Sequence, residues 1–301
     1  MNSGRFNARF GNFDTLIFLH IPKTAGTTLR PIIERQYRRS VILRAYNSGE
    51  GAKGREFFVA LPIERIKRVG LVVGHIEFGW HALMPQKAIY LTMLREPIDR
   101  VVSQYYHIRG HTSHRLHNAV KGGAVDIEEY VRRGLNPDAS NGETHWLSGG
   151  LESDTHSGLP EEALQKAKDN IEEYFPVIGI QERFDESLIL FKRAFRWKWV
   201  YYSRRNVADS RASLTTLPDR VVRTIREFNQ LDIDLYEYAQ RKFEDLVLNE
   251  GITFRREVAR FQLMNRNFGK LVSPVLDLDP RQMIRNANSE VRALVRTHRS
   301  I

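Results

Sequence analysis

The sequence holds no cysteine. Disulfides, zinc–thiolate sites, iron–sulfur clusters and cysteine nucleophiles are thereby excluded. No apolar run reaches the roughly 18 residues from which a membrane-spanning helix is read. The first residues, Met1-Asn2-Ser3-Gly4-Arg5-Phe6-Asn7, lack the apolar segment of a secretory signal, so a cytoplasmic protein is expected. Internal repeats and low-complexity segments are missing as well. Negative charge is in short supply: 36 acidic residues face 46 Lys and Arg, a net charge of +10. That excess points to an anionic ligand, substrate or surface, with plain solubility as the bland alternative. What is present is enough apolar material, 42% of 301 residues, for the core of one large domain or two small ones.

The chain is organised around Leu16-Ile17-Phe18-Leu19-His20-Ile21-Pro22-Lys23-Thr24-Ala25-Gly26-Thr27-Thr28. An apolar run ends in a turn carrying one Lys, one Gly and three Thr. Leu29, Ile32, Ile33 and Tyr37 then fall at helical spacing, which predicts a helix from Thr28 towards Tyr37, with Pro31 tolerable in its first turn. Strand, turn, helix is the layout of a phosphate cradle, because N–H groups and the helix dipole both favour an anion at a helix start.

Residues 69–74 and 88–94 read as further buried strands, ending at His75 and Arg95, and Val41–Leu43 as a short one. Pro97 opens a helix lined by Ile98, Val101, Val102 and Tyr105. Short helices are expected over 126–133 and 141–148, a longer one over 159–175, and a strand over 177–180. Phe184, Leu188, Phe191 and Phe195 line another helix. Residues 196–201 alternate with period two, which predicts a strand with Trp197 and Trp199 inward. Two helices follow, about 217–229 and 233–247, with Asp232 as a cap between them. Strands alternating with helices make an α/β fold: an open parallel sheet flanked by helices, P-loop-like, with a helical C-terminal extension. Ligands bind at the carboxyl ends of such strands, where His20, His75 and Arg95 fall.

The cradle fails the pattern G-x-x-x-x-G-K-[ST], since Lys23 precedes the turn's only glycine. It is phosphate-binding in type, but not an ordinary ATP loop.

Residues 21–28 instead resemble the 5′-phosphosulfate loop of sulfotransferases that use 3′-phosphoadenosine 5′-phosphosulfate (PAPS). Leu94-Arg95-Glu96-Pro97-Ile98-Asp99-Arg100-Val101-Val102-Ser103 resembles that family's 3′-phosphate-binding strand and helix, with Arg95 and Ser103 matching its two ligands. Gly74-His75-Ile76-Glu77-Phe78 is similar to the segment carrying the base of the uronyl and heparan sulfate 2-O-sulfotransferases. Residues 167–180 resemble a helix–strand unit late in that group. Members of the group are usually Golgi-anchored and contain cysteine; this chain has neither feature and looks like a soluble bacterial relative. The resemblance implies a sulfotransferase domain over 15–250, with residues 1–14 a flexible arm and 251–301 a basic helical tail.

The resemblance implies PAPS as cofactor, no metal, and transfer of a sulfuryl group to an alcohol, a sugar hydroxyl above others. Lys23, Thr24, Ala25, Gly26, Thr27 and Thr28 hold the 5′ end, and Lys23 also steadies the charge that builds on the leaving oxygen. Arg95 and Ser103 hold the 3′-phosphate. His75 or Glu77 takes the hydroxyl proton. Arg204, Asn206 and Arg211, after residues 196–201, are candidates to touch the adenosine end. A kinase and a non-catalytic anion- or nucleic-acid-binding protein stay open as rivals. The interleaved Lys192–Arg205 run is read as a strand rather than a nucleic-acid surface, and no nucleic-acid partner is expected.

His107, His111, His114 and His117 have metal-like spacing, but Gly110 and the polar content favour a loop in which Arg109, His111, His114 and Arg115 rim an acceptor cleft. Between residues 281 and 300 five Arg stand against one Glu. That tail is suited to an acidic acceptor, a peripheral membrane contact or another subunit, with a solvated helix as the alternative.

Overall fold

The computed structural model describes residues 11–46, 54–150, 158–202 and 216–276, with side chains up to residue 266. Five strands form one sheet: β1 (Thr15–Leu19), β2 (Ile42–Ala45), β3 (Leu71–Gly74), β4 (Ala88–Leu94) and β5 (Ile178–Ile180). The order is β2-β3-β1-β4-β5, and every pairing is parallel. β1 and β4 are buried along their whole length, which accounts for their unbroken apolar runs.

The helices are α1 (Gly26–Glu34), α2 (Arg55–Val59), α3 (Ile63–Ile66), α4 (Pro97–Gly110), α5 (His117–Lys121), α6 (Ile127–Arg132), α7 (Gly142–Ser148), α8 (Glu161–Tyr174), α9 (Phe184–Ala194), α10 (Asp219–Phe228) and α11 (Gln230–Leu276), the last broken at Gly251. The expected α/β architecture with a helical C-terminal extension is therefore present. Among the described residues no helix is long and apolar enough to cross a membrane.

The strand order positions the site. From β1 the chain crosses to β2 on one side, while from β4 it passes to β5 on the other. Loops leaving adjacent strands in opposite directions open a crevice between them, here between the ends of β1 and β4. Two apolar clusters hold this frame. The larger surrounds the sheet; the smaller packs α4 against α6 and α10 through Val101, Tyr105, Tyr130 and Ile225.

Three expectations change. α1 opens at Gly26, two residues before Thr28, so Pro31 sits in its second turn. Residues 196–201 form no strand: Trp197 is buried but Trp199 is 68% exposed. The segment bonds to side chains instead of a neighbouring strand. The Trp199 and Tyr201 carbonyls accept from Gln36 and Arg35, and the Tyr202 N–H donates to Asn265 Oδ1. Asp232 caps a helix, but it is α7: its carboxylate accepts the N–H groups of Glu143 and Thr144 at 3.0 and 2.7 Å.

Candidate active site

The cradle between β1 and α1 is built by two left-handed residues. Lys23 has φ 71° and Ala25 φ 64°, a conformation that L side chains adopt only at a cost. Ala25 is the N-cap of α1, and its carbonyl takes the N–H groups of Thr28 and Leu29. Those of Gly26 and Thr27 have no acceptor among the described residues, and no acidic side chain stands in the first turn of α1. An anion would supply what this helix start lacks. The Thr24 hydroxyl donates inward to the Ile21 carbonyl at 2.9 Å and fixes the turn.

Gly26 is required by packing. A Cβ there would stand 1.7 Å from Nε2 of His20, whose ring lies against the Gly26 backbone. His20 stacks on Phe18 and is buried. Burial, with His75, Arg30 and Lys23 nearby, holds it well below the usual imidazole range, so it packs as a neutral ring.

His75 follows β3, the strand beside β1. Its Nδ1 lies 2.7 Å from the His20 carbonyl oxygen. A carbonyl only accepts, so Nδ1 carries the proton and Nε2 carries the lone pair. The ring is boxed by His20 at 4.4 Å and Tyr46 at 5.0 Å, centroid to centroid. Burial pushes its pKa down and Arg30 adds to this; the bond to His20 and the Asp138 carboxylate oppose it. The result is an imidazole kept neutral and ready to accept at Nε2.

Glu77 is the other candidate base. Its carboxylate is half-exposed and pairs with His145 Nε2 at 3.3 Å.

Arg95 ends β4. Its guanidinium donates to Asp99 Oδ2 and to the Lys23 carbonyl, and its N–H donates to Glu143 Oε1. Glu143 lies fully buried beside Arg100 and Asp232, and Arg100 Nη2 donates to Asp232 at 3.2 Å. Ser103 lies one turn beyond Asp99 on α4 and is half-buried. His107 follows one turn later; burial, with Lys23 and the His111 and His114 rings around it, pushes it down to about 4. Thus Asp99, Ser103 and His107 share one stripe of α4.

Arg204, Asn206 and Arg211 lie outside the described residues. Of the histidine group, His117 points inward with Nδ1 at the Ile108 carbonyl, while His107 and His111 face each other 3.7 Å apart. Arg109 and Arg115 are exposed and His114 is half-buried. Among the described residues no three His, Asp or Glu side chains are placed to hold a metal.

Sequence reasoning missed Tyr46, Arg30, His145, Trp146 and Asp138. Tyr46 was within reach: it follows β2 as His75 follows β3. Arg30 lies over its ring, 5.4 Å from the centroid. Trp146 and His145 sit on α7, whose run of buried residues carries no periodic signal.

Comparison with known proteins bears on this site. A family profile described as galactose-3-O-sulfotransferase matches residues 8–288. Mouse galactose-3-O-sulfotransferase 3 is 29% identical over 86% of this chain and 64% of its own length. Bovine galactosylceramide sulfotransferase is 25% identical over 85% of this chain and 63% of its own. The Drosophila melanogaster heparin sulfate O-sulfotransferase is 28% identical over 52% of this chain and 49% of its own. The chain thus spans a little under two thirds of the first two relatives.

Proposed function

We infer that this chain, which belongs to the galactose-3-O-sulfotransferase family, transfers a sulfuryl group from PAPS to a hydroxyl of a galactose-containing acceptor. The family supports galactose as the sugar whose hydroxyl is sulfated. One observation carries the reading. His75 presents an unprotonated Nε2 at the end of β3, next to the strand that leads into an anion cradle.

The residues fit the cofactor. The N–H groups of Gly26 and Thr27, with Lys23 in the same turn, suit the 5′-phosphosulfate; Arg95 and Ser103 suit the 3′-phosphate. When bound, PAPS supplies the sulfuryl group and retains, on its 5′-phosphate, the electron pair of the broken S–O bond. The chain's own work is then proton transfer and charge stabilisation. Nε2 of His75 takes the acceptor hydroxyl proton while its Nδ1–H stays on the His20 carbonyl, a bond that strengthens as the ring becomes cationic. Asp138 favours the same cation. Lys23 would supply a cation to the oxygen that gains charge, and so would bind the transition state better than the ground state. Glu77, paired with His145, serves the acceptor's other hydroxyls, and His75 is the base.

Calorimetric titration with PAP, ATP and a mixed oligonucleotide tests the reading. Saturable binding of PAP, tighter than that of ATP, is expected; no PAP binding, or a preference for ATP or the oligonucleotide, overturns it.

A further inference from the structure

We propose that the indole face of Trp146 is the platform on which the acceptor sugar stacks beside His75; this rests on the galactoside reading above. Trp146 is the one residue of α7 that is not buried. Its ring centroid lies 6.4 Å from that of His75, with the planes 58° apart. Trp146 packs on the main core and is half-buried.

The side chain, the backbone and the helix of Trp146 are each held. Its indole N–H donates to Asp138 Oδ1 at 3.0 Å. Its carbonyl accepts from the Phe78 N–H at 2.9 Å, which ties it to the segment running on from His75. The start of α7 is gripped by the buried Asp232 carboxylate. A platform fixed in this way loses little freedom when a ligand arrives, which is what a stacking surface requires.

Galactose suits such a surface. Its axial O4 lies to one side of the ring, leaving the hydrogens on C3, C4 and C5 as one apolar face. That face buries on an aromatic ring while the hydroxyls stay at the rim, where one can meet Nε2 of His75. Glu77 stands two residues after His75 with its carboxylate 47% exposed, and its partner His145 is the neighbour of Trp146. It supplies an acceptor for a second hydroxyl on the same side. A glucoside, with O4 equatorial, turns H4 to the opposite face and so lacks the H3, H4 and H5 patch, although its own faces are apolar too.

The bland role for Trp146 is core packing alone, and the test separates the two. Trp146→Phe keeps a flat face; Trp146→Leu keeps apolar bulk without one. Methyl β-galactoside is titrated into each protein saturated with PAP, its KM in transfer is measured, and PAP affinity is recorded alongside. Trp146→Phe is expected to stay within about threefold of wild type. Trp146→Leu is expected to weaken acceptor binding and raise KM about tenfold or more, with PAP affinity unchanged. In the wild type with PAP, saturation of aromatic protons is expected to reach H3, H4 and H5 of the galactoside. An unchanged KM in Trp146→Leu, equal losses in both variants, loss of PAP affinity, or no saturation transfer to those protons each overturns the platform. If the wild type binds PAP but sulfates no galactoside, the functional reading itself falls, and the platform with it.

Discussion

The Arg95 guanidinium donates from Nη1 to the Lys23 carbonyl oxygen at 2.9 Å and from Nε to Asp99 Oδ2 at 2.8 Å. One side chain thus laces the end of β4 to the cradle after β1, across the crevice that the strand order opens. The group proposed to bind the 3′-phosphate therefore also sets the distance between the two anion sites.

Replacing it should have two consequences. Arg95→Ala is expected to weaken PAP binding about 10- to 100-fold and to lower the unfolding free energy by about 1–3 kcal/mol, the cost of losing charge-assisted bonds. Calorimetry and urea unfolding read the two effects separately. Lost stability with unchanged PAP affinity would reduce Arg95 to a brace.

Gly26 and His20 should behave as a coupled pair. A side chain at Gly26 drives into the imidazole, so Gly26→Ala is expected to cost about 1–3 kcal/mol as an overpacked site. Combining it with His20→Ala should recover much of that, with a coupling energy of about 0.5–3 kcal/mol in a double-mutant cycle. Strictly additive losses would contradict the packing account.

Three histidines held below their ordinary range fix the sign of the pH response. His20, His75 and His107 are all held below the ordinary imidazole value of 6.5, His107 at about 4. The unfolded chain therefore binds protons that the folded chain refuses. Stability should be complete above 6.5 and fall as the pH drops from there towards 4. Equilibrium unfolding across this range checks it, and a gain in stability on acidification would refute it. The acid limb of transfer should have its midpoint below 6.5, since His75 stays neutral in the folded protein.

Asp232 tests the support beneath the proposed acceptor side. It caps α7 and faces the buried Arg100. Asp232→Ala leaves that cation without its partner and frees two N–H groups, at an expected cost of about 3–5 kcal/mol. Asp232→Asn should cost less, because it keeps one acceptor oxygen. Thermal unfolding of both variants decides, and equal, small shifts would be contrary.

Much of this was legible before any coordinates. The apolar runs at Leu16–Leu19 and Ala88–Leu94 announce buried parallel strands, and the polar residues that follow them stand at the edge where the ligand is proposed to bind. The cradle was legible in type, from Lys23, Gly26 and three threonines, but not in mechanism. That Lys23 and Ala25 turn left-handed, and that His20 fills the space beside Gly26, is tertiary information that no propensity reports. Trp146 escaped because six of the seven α7 residues are buried, so no face stands out. Trp197 and Trp199 misled because alternation reads as a strand, whereas here Gln36, Arg35 and Asn265 satisfy the backbone.

The central claim is that His75 takes the acceptor proton beside a PAPS cradle. The direct measurement is the mass gained by methyl β-galactoside when PAPS is supplied to the wild type and to His75→Ala, with PAP affinity measured on both. The account predicts a sulfated product from the wild type, transfer slowed about 10²- to 10⁴-fold in the variant, and PAP binding the same in both. Transfer at the wild-type rate by His75→Ala would contradict it.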